Sequence, residues 1–190
     1  MHTEKQQVRR QVKALVNGLS ENEKTNQTRT AQTRLYGLPQ FRQAESILIY
    51  WSLDDEIKTH AFIEKLSREK EILLPVIDGD TMRVKRYTGT SNMKPDERYN
   101  IPEPVGDAIV NPTPDLVLVP GVAFDSHCLR LGRGKGYYDQ FLSHNRLSAT
   151  LVGIGFNEQM VTQVPSENHD FPLDIVVTAD RIYFRTGKKY

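Results

Sequence analysis

The stretch from Asp115 to Leu142 leaves this chain the fewest ways to fold. Leu116-Val117-Leu118-Val119 is a short apolar run closed by Pro120-Gly121, the pattern of a strand buried on both faces that ends at a turn. Gly132, Gly134 and Gly136 then alternate with Arg133 and Lys135. Tyr137, Tyr138, Phe141 and Leu142 follow with the i, i+1, i+4, i+5 stripe of a helix start. Glycines let the backbone approach a ligand and adopt positive φ, so successive N–H groups can turn toward one anion at the positive end of a helix. With Arg130, Arg133 and Lys135 supplying cations, the stretch predicts a polyphosphate cradle. Its spacing is neither that of the P-loop nor Gly-x-Gly-x-x-Gly, and a flexible basic surface turn is the competing reading. Against that turn stands Asp139, a carboxylate one turn further on, where a phosphate-bound Mg²⁺ would find a protein oxygen.

The same stretch resembles the 5-formyltetrahydrofolate cyclo-ligases, also called 5,10-methenyltetrahydrofolate synthetases. That family's hallmark is a strand ending in Pro-Gly, then Ala-Phe-Asp, then Arg-x-Gly-x-Gly-Lys-Gly-Tyr-Tyr-Asp. Here these are Pro120-Gly121, Ala123-Phe124-Asp125 and Arg130 through Asp139. Further matches follow in family order from Lys5 to Thr178: Glu56-Ile57-Lys58-Thr59, Tyr99-Asn100-Ile101-Pro102-Glu103-Pro104, Phe156-x-x-Gln159 and Pro165 through Asp170. The resemblance implies an enzyme that uses ATP and Mg²⁺ to cyclise 5-formyltetrahydrofolate to 5,10-methenyltetrahydrofolate, with release of ADP and phosphate. It assigns ATP to Lys5, Arg9, Arg130, Leu131, Gly132, Arg133, Gly134, Lys135, Gly136, Tyr137 and Tyr138. Folate falls to Trp51, Glu56 and Tyr99, with Arg133, Gly134, Lys135, Gly136 and Tyr137 shared between the two substrates. Lys135 and Arg133 are the expected catalytic groups, and Asp139 and Asp170 the expected metal ligands.

Composition narrows the alternatives. With 25 basic and 24 acidic residues there is no charge excess to drive nucleic-acid binding through counterion release. Cys128 is the only cysteine, so an intrachain disulfide or cysteine-based zinc site is impossible. The five histidines are scattered without ligand spacing, and no Gly-x-Ser-x-Gly elbow occurs. There is no apolar stretch of about 18 residues or secretory signal, so the expectation is a cytoplasmic protein without a membrane partner. Small-molecule substrates and a monomeric state complete that expectation.

Read along the chain, Val8, Val12, Leu15, Val16 and Leu19 predict an N-terminal helix with one apolar stripe. Lys5 and Arg9, at i and i+4, sit on its other side as a solvated face or, by the resemblance, as ATP contacts. Ser20 and Glu23 form a capping box for a second helix running to about Leu35, and Phe41 and Ala44 belong to a short third one. Strands are expected at 46–51, 72–77, 116–119, 150–156 and 173–178. Asp78-Gly79-Asp80 turns the second into an antiparallel edge strand, so that Leu73 to Tyr87 is a hairpin. On that edge, Lys85 and Arg86 read as pairing blockers or as contacts for a folate tail. Thr59 is the expected cap of a helix carrying Phe62, Ile63 and Leu66, with Asp54, Asp55 and Glu56 suited to its positive end. Residues 89–114 are rich in Pro, Asn, Asp and Gly and predict an irregular loop, in which Tyr99 is a simple anchor or, by the resemblance, a pterin-stacking residue. Likewise His169-Asp170 reads either as a capping pair or, through Asp170, as part of a metal site.

Alternating strands and helices give one α/β domain over residues 1–190: a Rossmann-like, mainly parallel sheet flanked by helices, with an antiparallel hairpin. Two other classes fit parts of the pattern. One is a non-ATP enzyme of similar fold acting on a phosphorylated or CoA-linked substrate; the other is a folate-binding protein without turnover.

Overall fold

Short apolar runs joined through helices and hairpins build a seven-stranded sheet in the computed structural model, which describes residues 2–98, 100–145, 147–167 and 170–187. The helices are α1 (His2–Asn17), α2 (Glu21–Gly37), α3 (Pro39–Gln43), α4 (His60–Leu66) and α5 (Tyr137–Asn145). The strands are β1 (Ser46–Leu48), β2 (Glu71–Asp78), β3 (Thr81–Arg86), β4 (Met93–Pro95), β5 (Pro102–Pro104), β6 (Leu116–Val119), β7 (Ala123–Phe124), β8 (Arg130–Leu131), β9 (Thr150–Ile154), β10 (Ile175–Val177) and β11 (Ile182–Phe184).

Strand order is β11-β10-β9-β6-β1-β2-β3. The inner strands β10, β9, β6, β1 and β2 run parallel, while β11 and β3 close the two edges antiparallel. The mainly parallel sheet and the β2–β3 hairpin agree with the sequence reading. From β1 the chain moves outward to β2 on one side and later returns to place β6 on the other. The carboxyl ends of β1 and β6 therefore flank the point where strand order reverses, the crevice in which open parallel sheets bind ligands.

Both faces of the sheet are covered, which is why its strands read as unbroken apolar runs. Along β6, Leu116 and Leu118 join the core beneath α1 to α4, and Val117 and Val119 join the one beneath α5. Phe124, fully buried, lies under the sheet's glycines. A Cβ on Gly121 or Gly153 would come within 2.7 Å of its ring, and one on Gly155 within 2.9 Å. Those three residues must stay small for the aromatic ring to seat.

Several expectations shift. On α1 the stripe narrows to buried Val12 and Val16, with Val8 and Leu19 half-buried; Leu15 is 57% exposed, and the buried place nearer the start of the helix goes to Lys5. The capping box of α2 is complete, with Glu23 N–H donating to Ser20 Oγ at 3.3 Å and Ser20 N–H to Glu23 Oε2 at 2.8 Å. Ladder pairing in β1 stops at Leu48, although Ile49 N–H still donates to Leu73 O at 2.9 Å. Thr59 precedes α4 but makes no cap bond; its hydroxyl donates to Tyr50 O at 2.7 Å and accepts Ser52 N–H at 3.0 Å, tying the loop back to the end of β1. The segment 89–114 is not wholly irregular, because β4 and β5 pair as a ribbon from Met93↔Pro104 to Pro95↔Pro102. On the outer edge, Arg86 pairs with Glu71 across the hairpin.

Candidate active site

Immediately after β6, Pro120-Gly121 turns the chain into the β7–β8 hairpin, which sequence reading missed. Asp125 holds its turn: the fully buried carboxylate accepts His127 N–H at 2.9 Å, Leu129 N–H at 3.0 Å and Val164 N–H at 3.0 Å. An aspartate accepting backbone N–H groups a few residues on is ordinary turn chemistry, and Asp125-Ser126-His127 carried that signal. The hairpin delivers Arg130 and Leu131 to the mouth of the switch point. From there Gly132–Gly136 loops to the start of α5, with Gly134 at φ 100° and Gly136 at φ 70°, the left-handed backbone that glycine tolerates. Gly132 serves by smallness, since a Cβ there would lie 2.9 Å from Arg130 Nη1.

A cleft of about 360 Å³ opens here. Lys5 and Arg9 from α1, Glu56 from the loop after β1, Arg130 through Gln140, and Glu167 with Asp170 all line it. Arg9 Nε donates to Gly132 O at 2.8 Å, which docks α1 against the glycine loop. Arg133 Nη2 lies 2.6 Å from Asp55 Oδ1 and 2.9 Å from Glu56 Oε1, and its Nη1 lies 3.2 Å from Asp55 Oδ2. Burial alone would lower the Arg133 guanidinium, but these carboxylates hold it above its usual value. Asp55 shows the converse: burial, the largest single influence, pushes its carboxyl up, but the hydrogen bond and the charge of Arg133, with smaller backbone and Lys13 contributions, together bring it below the usual value.

The opposite wall carries a second ion group. Lys5 Nζ donates to Asp170 Oδ2 at 2.7 Å and Glu167 Oε2 at 2.8 Å, so Lys5 is raised although burial acts to lower it. Asp139 Oδ1 accepts Arg130 Nη2 at 2.7 Å and Phe171 N–H at 3.2 Å. Among the described residues there is no group of three or more His, Cys, Asp or Glu side chains that could hold a metal ion. Deeper in, the phenol of Tyr138 is pushed well above its ordinary value by burial first and the Glu56 carboxylate second; Tyr50 is raised for the same two reasons.

A sequence model of the 5-formyltetrahydrofolate cyclo-ligase family matches residues 1–179. The chain belongs to that family. A cyclo-ligase of Haemophilus influenzae is 33% identical over 187 residues, covering 93% of this chain and all of the relative. The mouse cyclo-ligase is 28% identical over 194 residues, covering 95% and 96% of the two chains. The solution structure of the Aquifex aeolicus 5,10-methenyltetrahydrofolate synthetase superposes with a TM-score of 0.86 at 28% identity, over 98% of this chain and 95% of that one. Membership makes the chain an enzyme of the cyclo-ligase class.

For a cyclo-ligase, the expected site residues fall into three groups. Every residue expected to contact ATP, together with Glu56, Asp139 and Asp170, lines the one cleft. Trp51 does not; it stacks on His60 with ring centroids 4.2 Å apart and lies near Tyr87. Tyr99 and His169 lie outside the described residues. Asp55 and Glu167 were missed as site residues. The position of Asp55 just past a parallel strand was the available clue, whereas nothing local marks Glu167 out from its polar loop.

Proposed function

We propose that this cyclo-ligase converts 5-formyltetrahydrofolate and ATP to 5,10-methenyltetrahydrofolate, ADP and phosphate. The observation that carries the reading is the single cleft in which a glycine loop, the cations Lys5, Arg9, Arg130, Arg133 and Lys135, and the carboxylate of Glu56 meet. The formyl oxygen of the substrate attacks the γ-phosphorus and ADP departs with the bridging electron pair. N10 of the same folate then adds to the activated formyl carbon, and phosphate leaves with the former formyl oxygen while the N10 proton is released to it. Such chemistry asks a protein for alignment and charge neutralisation. Lys135, exposed on the loop, and Arg133 supply mobile and anchored positive charge respectively, while the N–H groups of the loop face the phosphates at the start of α5.

Asp139 and Asp170 offer hard carboxylate oxygens on the same cleft, a donor set that suits Mg²⁺ shared with phosphate oxygens. When bound, Mg²⁺ would add charge neutralisation at those oxygens. Small-molecule substrates, a monomeric state and a cytoplasmic location complete the proposal; no described helix is long and apolar enough to cross a membrane.

The test is incubation with 5-formyltetrahydrofolate, Mg²⁺ and ATP while following methenyl absorbance in the near ultraviolet. No rise, with neither ATP nor folate bound, points to a non-ATP enzyme acting on a phosphorylated or CoA-linked substrate. Folate binding without any rise points to a binding protein.

A further inference from the structure

All three side-chain nitrogens of Arg133 donate to carboxylates: Nε to Glu56 Oε1 at 3.3 Å, Nη1 to Asp55 Oδ2 at 3.2 Å, and Nη2 to Asp55 Oδ1 at 2.6 Å and Glu56 Oε1 at 2.9 Å. Two carboxylates around one guanidinium leave a net negative group, and such a group repels phosphate. Only one of the two carboxylates is tied down elsewhere. Glu56, with its side chain 7% exposed, also accepts Leu53 N–H through Oε2 at 2.9 Å, which fixes it to the turn after β1. Both oxygens of Asp55 accept from Arg133, and no other side chain among the described residues bonds to them.

Asp55 also sits apart from the cleft. Glu56 and Arg133 line the cleft itself, whereas Asp55 lines a narrower recess beside it, shared with Arg133 and with Lys13 of α1. The pairing therefore draws the guanidinium toward the recess, and does so with the two-oxygen face that phosphate also offers to arginine. We propose that Asp55 is a positioning residue that stands in for phosphate at Arg133 before nucleotide binds, so that a polyphosphate must displace it and the exchange sets how tightly nucleotide is held. This rests on the proposed function, which puts the phosphates in the cleft. Glycines on both sides of Arg133 let its backbone turn, with Gly134 already at φ 100°. Glu56 keeps its bond to the turn, so Arg133 stays anchored on one side while its Nη1 edge swings to the phosphates. Lys13, exposed and without an ion pair among the described residues, is the cation left beside the released carboxylate. The same exchange in reverse speeds the departure of ADP.

Titration calorimetry with ADP and with inorganic tripolyphosphate, both without folate, tests the exchange. Losing a residue that only braced the loop would weaken binding. Asp55→Asn should instead tighten both ligands by roughly 5- to 20-fold, the span set by one partly exposed ion pair that no longer has to be broken. In an Arg133→Met background the same substitution should change ADP affinity by less than about twofold, because Asp55 acts through the guanidinium. Thermal melts establish that each variant is folded, and Asp55→Ser gives the same reading should Asp55→Asn not fold. Unchanged or weaker binding in a folded Asp55 variant overturns the inference, as does equal tightening in the Arg133→Met background. Wild-type protein that binds 5-formyltetrahydrofolate but neither phosphate ligand overturns the ATP-dependent reading and this inference with it. Wild-type protein that binds ADP, with a folded Asp55 variant binding no tighter, overturns this inference alone.

Discussion

Arg133→Met should lower stability by about 2 kcal/mol and turnover at least about a hundredfold, on the scale of losing one charged stabiliser. The stability figure follows from the Arg133 ion pairs. At about 4 Å between charge centres and an effective dielectric near 20, each carboxylate attracts the guanidinium by roughly 4 kcal/mol before costs. The Arg133 side chain is 40% exposed, however, against 21% for Asp55 and 7% for Glu56. Solvent screening, side-chain ordering and desolvation reduce each pair to about 1 kcal/mol. For a domain of this size the sum corresponds to a fall in Tm of about 4–8 °C. Urea unfolding of wild type, Arg133→Met, Asp55→Asn and the double variant gives the coupling directly. We expect a coupling of about 1 kcal/mol between Arg133 and Asp55 near pH 6. Effects that add within about 0.5 kcal/mol would refute the argument, because independent sites do the same. Acid provides a second check. Since the folded Asp55 carboxyl is held below its ordinary 3.8, its contribution is fully present above that value and is lost as pH falls through the lowered one. Coupling that persists unchanged under strongly acidic conditions would mean the pair is not electrostatic.

Lys135→Ala, at an exposed position, should leave the melting temperature unchanged while turnover falls at least about a hundredfold; steady-state kinetics beside a thermal melt decide it. Asp139→Asn and Asp170→Asn should each raise the Mg²⁺ concentration needed for activity while folate affinity stays within about threefold, roughly 0.65 kcal/mol. An unchanged Mg²⁺ requirement in Asp170→Asn would leave that residue a structural partner of Lys5 and of the Glu167 backbone N–H rather than a metal ligand. Gly153→Ala should destabilise by about 1–3 kcal/mol in urea unfolding, because its Cβ would sit 2.7 Å from both Leu173 and Phe124.

What could be read from residues alone was local chemistry. The glycine loop, the capping box at Ser20 and Glu23, and the apolar run of β6 each carry their structural meaning within a few neighbours. The parallel sheet followed because such runs need both faces covered. The failures share one cause: they depend on what the tertiary fold brings alongside. Leu15 fits a helical stripe, yet it stays 57% exposed while Lys5 takes a buried place on the same helix. Asp55 suits a helix start by sequence, but Arg133, 78 residues later, claims it. Glu167 has meaning only because α1 brings Lys5 beside its loop. Thr59 was placed correctly next to α4, but the end of β1 competed successfully for its hydroxyl.

The docking of α1 also bears on how the enzyme is made. Lys5 bonds to Asp170 across 165 positions and Arg9 to Gly132 across 123. Closures of that span come after local structure, since the ends of a long loop must first be brought together. A growing chain can form α1 early, but the proposed phosphate-binding surface is incomplete until residue 170 has left the ribosome. On the proposed function, nucleotide that binds only the finished arrangement adds about 2.7 kcal/mol of stability at a hundred times its dissociation constant. Saturating ATP should therefore protect the start of α1 from proteases as strongly as it protects the glycine loop at 132–136.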